Sequence, residues 1–183
     1  KRDILDNKAD IIFVEYAVND GMETDYKESY ESLVRTALEQ ENEPAVVLIL
    51  NRTKEGHSAQ EYMKSIGNFY SLPMISTADA LTEALDNGTI KWEDYYNDSS
   101  HPNPNGHTLF CKLIAHAFDE SLKVQSDEYT LPAESIFGAP YENAVLIESD
   151  YDGSDSRFTM ESLGSFTNSS SADGFTKGWS FDK

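Results

Sequence analysis

The sequence predicts an α/β fold built on a parallel sheet, followed by the start of a β-rich segment, and three observations lead there. Near-continuous apolar runs recur at residues 9–18 and 45–50, the pattern of strands buried on both faces. Stretches of helical periodicity alternate with these runs, which implies parallel strands joined by right-handed crossovers. Beyond Lys123 the pattern changes to short apolar pieces separated by Gly, Ser, Asp and Asn, which reads as strands with long turns.

The elements follow in order. The run 9–18 is a central strand that ends in Asn19-Asp20, at the carboxyl edge of a sheet where open α/β folds place their active sites. Tyr26, Tyr30, Leu33, Val34, Ala37 and Leu38 then recur at helical spacing. Pro44 introduces the strand 45–50, and residues 59–70 form a helix with Tyr62, Ile66 and Phe69 on one side. A short strand at 73–76 leads into a helix at 77–85, closed by Asn87-Gly88 as a C-cap. After Trp92 the chain is polar and irregular through His101. Asn103 is then placed as an N-cap, with Pro104 at the first helical position. Phe110, Leu113, Ile114, Ala117 and Phe118 supply the apolar face of that last helix. The expected division is 1–123 for the α/β part and 124–183 for a linker and β-rich accessory segment with too few strands to close a core of its own.

Composition narrows the function classes. The 183 residues carry 33 acidic against 14 basic side chains, a net charge of −19. That balance repels phosphate backbones and anionic membranes, and suits a neutral or cationic substrate. No apolar run is long enough for a membrane span. Cys111 is the single cysteine, so no intrachain disulfide forms, and its place in an amphipathic helix reads as a small buried thiol. No residue pattern calls for a cofactor or a bound metal. Asp150-Tyr-Asp152-Gly-Ser-Asp155 is acidic, but its Gly falls at the fourth position rather than the sixth of a calcium loop.

Two constellations carry chemistry. Asp98 precedes His101 by three residues, Pro102 follows, and Asn103-Pro-Asn-Gly-His107 opens a helix. This fits an Asx turn ahead of a helix, and equally a general base whose tautomer is set by a carboxylate. Asn19, after a buried strand, fits a turn former or a side-chain amide that donates to an oxyanion. Asp20 reads as a tie for the following loop and His107 as a local hydrogen-bonding residue of the helix start. His57 and His116 show no partner spacing.

Together, Val14-Glu15-Tyr16-Ala17-Val18-Asn19-Asp20 and Asp98-Ser-Ser-His101-Pro102 resemble two signature blocks of the SGNH (GDSL-like) hydrolases. The likeness covers roughly residues 1–122 and is greatest to a bacterial branch with an appended β-domain. It implies a flavodoxin-like three-layer α/β/α sandwich and Ser-His-Asp chemistry, with His101 as base, Asp98 orienting it and Asn19 as oxyanion donor. Ala17 stands where the family usually has Gly. The family's nucleophile, a Ser in a Gly-Asp-Ser or Gly-Gly-Ser segment, has no counterpart before Asn19; Gly153-Ser154 and Gly164-Ser165 come after the histidine. The resemblance therefore implies a serine esterase whose serine lies outside this sequence, acting on small acyl esters, with acylated carbohydrate favoured. Tyr151, Phe175 and Trp179 are candidate sugar-stacking residues. The alternatives are a lipid or thioester acylhydrolase, and a non-catalytic carbohydrate-binding or scaffold module.

Overall fold

The computed structural model describes residues 4–124, 129–145, 147, 157–159, 162, 164–165, 167–169 and 178–180. Strands and helices alternate as β1 (Ile11–Glu15), α1 (Thr24–Leu38), β2 (Ala45–Leu50), α2 (Gln60–Phe69), β3 (Met74–Ser76), α3 (Thr77–Asp86) and α4 (Pro104–Ser121). The strands form one parallel sheet in the order β1-β2-β3, with Ile11 beside Ala45 and Leu48 beside Met74. The fold is α/β.

The helical stripes close the core. Ile12 and Val14 of β1 join Val46, Leu48 and Leu50 of β2 against Tyr30, Val34 and Ala37 of α1 and Tyr62, Met63 and Ile66 of α2. Gly67 lets α2 approach β3 closely: a Cβ there would meet the Met74 sulfur at 2.3 Å and the Leu48 side chain at 3.2 Å. β2 is buried along five of its six residues, as its unbroken apolar run predicts.

β1 departs from the expectation of burial on both faces. Ile11 is 39% exposed and Phe13 42% exposed. Among the described residues β1 has a strand neighbour on one side only. Its second face is met by α4 through an edge-on contact of Phe13 with Phe118. The strand also ends at Glu15, not at residue 18, because the Tyr16 carbonyl accepts the amides of Asn19 and Asp20, each at 3.0 Å, and curls the chain into a turn. Cys111 is exposed, contrary to the reading of a buried thiol. Only Gly106 of α4 is fully buried, so the helix is covered on a narrow stripe.

A buried carboxylate fastens a later segment to α1. Glu31, fully buried, accepts the amides of Ile136 (2.8 Å), Phe137 (2.7 Å) and Gly138 (3.2 Å) and the Tyr70 hydroxyl (2.6 Å). Arg35, one turn on, donates to the carbonyls of Pro132 (3.0 Å) and Glu134 (3.2 Å) and pairs with Glu142. Phe137 then packs edge-on against Tyr62.

The chain divides into two compact units, Lys1–Asn143 and Ala144–Lys183. The second contains an antiparallel pair, β4 (Thr167–Ser169) and β5 (Gly178–Ser180), with Asn168 opposite Trp179. Tyr151, Phe175 and the acidic run 150–155 lie outside the described residues. Among the described residues no helix is long and apolar enough to cross a membrane.

Candidate active site

The turn that holds Asp98 and His101 is built from its own amides. Asp98 Oδ1 accepts the backbone N–H groups of Ser100 and His101, both at 2.8 Å, and Oδ2 meets His101 Nδ1 at 2.8 Å. The Ser100 and His101 amides, followed by the imidazole, pull the Asp98 carboxyl down to about 2. Both side chains are open to solvent, Asp98 at 54% and His101 at 78%. A carboxylate on Nδ1 selects the tautomer with its proton there and leaves Nε2 as the free base.

Neighbouring residues frame that turn. Tyr96 bridges Pro102 in antiparallel fashion, the Asn97 amide donates to the His101 carbonyl (2.9 Å), and the Asn103 amide donates to the Tyr95 carbonyl (2.9 Å). The Asn103 side chain caps α4 by accepting the amides of Asn105 and Gly106, as the sequence predicts. Gly106 is required there, since an added Cβ would sit 2.1 Å from the Tyr95 carbonyl oxygen.

A pillar invisible in the sequence joins the turn to the sheet. Trp92 stacks on Tyr96 with centroids 3.9 Å apart, and its indole N–H donates to the Asp98 carbonyl at 2.6 Å. The Tyr96 hydroxyl donates to Oδ1 of Asn51 at 3.1 Å, the residue that follows β2 and is itself buried. Thr77 Oγ1 lies 3.1 Å from the same oxygen. Burial pushes the Tyr96 hydroxyl up, which keeps it a donor.

Asn19 is exposed on the turn that ends β1, and among the described residues its side-chain amide makes no hydrogen bond. Asp20 ties the loop as expected, its Oδ2 accepting the Tyr62 hydroxyl at 2.9 Å. Ala17 fits without strain: it is fully buried, its φ is not positive, and its carbonyl accepts the Ala59 amide at 2.8 Å. His57, which had no sequence signal, links the two constellations. Its Nε2 lies 3.0 Å from the Asp20 carbonyl, and its carbonyl accepts the Thr53 amide. The adjoining Lys54 amide donates to the Ser99 carbonyl at 2.8 Å. One loop after β2 thus touches both the Asn19–Asp20 turn and the Asp98–His101 turn.

No protein-family model matches the chain, and no curated protein matches it by sequence. Among solved structures it is similar to a two-domain esterase described as active on acetylated mannans, at a TM-score of 0.83 and 26% identity over 99% of this chain and 49% of that one. The same description is carried by a crystal structure with mannopentaose, similar at a TM-score of 0.81 and 27% identity over 99% of this chain and 48% of that one. The present chain spans about half the length of each of these esterase chains.

Proposed function

We propose that this chain supplies the acid–base pair and the oxyanion donor of an SGNH-type serine esterase that removes acyl groups, acetyl foremost, from acylated carbohydrate such as acetylated mannan. One observation carries the reading: His101 Nδ1 sits 2.8 Å from an Asp98 carboxylate already held by two amides, on a ring that is otherwise open to solvent. The likeness to esterases active on acetylated mannans supports the substrate class.

In this mechanism His101 Nε2 takes the proton of a serine hydroxyl as it attacks the ester carbonyl, and returns it to the leaving sugar oxygen. Asp98 stabilises the imidazolium in between. The Asn19 amide donates to the oxyanion, a charge that develops only at the transition state. The serine comes from polypeptide beyond these 183 residues. Among the described residues no hydroxyl is hydrogen-bonded to His101 Nε2, and the similar esterases are about twice as long. The half-exposed outer face of β1, which among the described residues has a strand neighbour on one side only, suits pairing with that additional polypeptide.

Acetate release from acetylated mannan, measured for the 183-residue chain and for the polypeptide extended at its N-terminus, tests this. The extended form is expected to be active and blocked by a fluorophosphonate, the shorter one inactive. Fluorophosphonate-sensitive hydrolysis by the short chain alone would overturn the placement of the serine. An extended form that binds manno-oligosaccharides without hydrolysing their acetyl esters would favour a binding module.

A further inference from the structure

The Asp98–His101 turn stands in solvent, so whatever orients it must come from the fold beneath. Both side chains are exposed, and both carboxylate oxygens of Asp98 are engaged inside the turn, on the Ser100 and His101 amides and on the imidazole. Among the described residues one contact ties Asp98 to anything outside that turn: the indole N–H of Trp92, which donates to its carbonyl at 2.6 Å. The donor is itself well fixed. Trp92 is buried and stacks on the buried Tyr96 ring with 18° between their planes. The Trp92 carbonyl accepts the Tyr95 and Tyr96 amides, each at 3.0 Å, and the Tyr96 hydroxyl reaches Asn51 at the end of β2. A buried indole has a single polar atom to place. Here that atom meets the residue whose carboxylate orients the base.

We propose that Trp92 is a positioning residue for the base: its indole N–H pins the peptide between Asp98 and Ser99, and so fixes how the Asp98 carboxylate is presented to His101. This role rests on the reading of Asp98 and His101 as the acid–base pair. Trp92 touches no reacting atom and acts through Asp98. Without the bond that peptide is free to rotate, and the Ser100 and His101 amides turn away from Oδ1 with it.

The test uses the polypeptide extended to carry the serine, at a temperature where every variant is folded. Trp92→Phe keeps a ring against Tyr96 and removes the donor. It is expected to lower kcat by about 10-fold or more, the scale of a small misplacement of a catalytic group. KM should stay within about twofold, because the lost alignment matters at the transition state. Leu85→Ala takes packing from the same apolar cluster and leaves the indole N–H in place. It should lower the melting temperature while kcat stays within about twofold of parental. In a His101→Ala background Trp92→Phe should cost nothing further, since its effect passes through the missing imidazole. The Asp98 carboxyl, followed by ¹³C NMR, should move in Trp92→Phe from about 2 toward the unperturbed ~3.9, and stay low in Leu85→Ala.

Parental kcat in Trp92→Phe, an equal loss of kcat in Leu85→Ala, or a full additional loss on top of His101→Ala would each overturn the proposal. Where Trp92→Phe does not fold, benzothienylalanine at position 92, with sulfur in place of the indole N–H, is measured against the same expectations. If the unaltered protein hydrolyses no ester, it is the esterase reading that fails. The Asp98 titration then still decides whether Trp92 holds the turn, and an unchanged carboxyl in Trp92→Phe would sink the positioning role.

Discussion

At the scale of single residues, the Asp98–His101 turn separates two effects that are often merged. The amides of Ser100 and His101 depress the Asp98 carboxyl more than the imidazole does. Removing the ring should therefore leave most of the depression in place. In His101→Ala, the Asp98 carboxyl followed by ¹³C NMR should still titrate below the ordinary aspartate range; a return to about 4, the unperturbed value, would show the ring to dominate. The sign for stability follows. A folded-state value of about 2 against an unfolded value near 3.8 means that the contribution of Asp98 is complete above the latter and lost as pH falls through the former. A second expectation distinguishes the histidines. His107 sits in the first turn of α4 with its amide on the Asn103 carbonyl. In the full-length polypeptide His101→Ala should reduce kcat by about 10³-fold or more, as loss of a triad base does, while His107→Ala stays near parental. Comparable defects in steady-state assays would mean that the wrong histidine carries the chemistry.

At the scale of elements, the Glu31 grip on residues 136–138 is the most consequential tertiary contact outside the site. Glu31→Ala would leave three amides and the Tyr70 hydroxyl without their buried acceptor. Urea unfolding should show a loss of about 3 kcal/mol or more, since several orphaned donors each cost on the order of 1–3 kcal/mol. A loss below about 1 kcal/mol would mean that water reaches those amides once the carboxylate is gone. None of this was legible in the sequence. Glu31 lies on a helix whose predicted stripe is buried at Tyr30, Val34 and Ala37 but exposed at Tyr26 and Leu33, and nothing in the periodicity separates a buried glutamate from a solvated one. Its amide partners stand 105 to 107 residues away and the Tyr70 hydroxyl 39. The N-cap of α4 could be read because Asn103 and the amides it accepts lie two or three residues apart.

At the scale of the whole molecule, the net charge of −19 should make stability depend on salt. Like charges repel more in the compact state than in the unfolded chain, and salt screens that repulsion. The melting temperature at neutral pH should rise between 10 mM and 500 mM sodium chloride, concentrations over which the screening length falls from about 30 Å to a few ångströms. A flat or falling profile would show that pairs such as Lys54–Glu93 and Lys64–Asp79 outweigh the self-repulsion.

By itself the sequence determined the α/β alternation, the unbroken burial of β2, and the pairing of Asp98 with His101, because strand runs, helical stripes and an i, i+3 turn are all local. Only the tertiary structure decided what surrounds them. It brought Asn51 under Tyr96 from 45 residues away and set Trp92 against the Asp98 carbonyl. It also laid the His57 loop against both the Asn19–Asp20 turn and the Asp98–His101 turn and left one face of β1 half open. The physical reason is that these contacts depend on which strand lies beside which, and on where each strand ends. The order β1-β2-β3 brings the loops after the strands together at one edge, and no local pattern of residues encodes that neighbourhood.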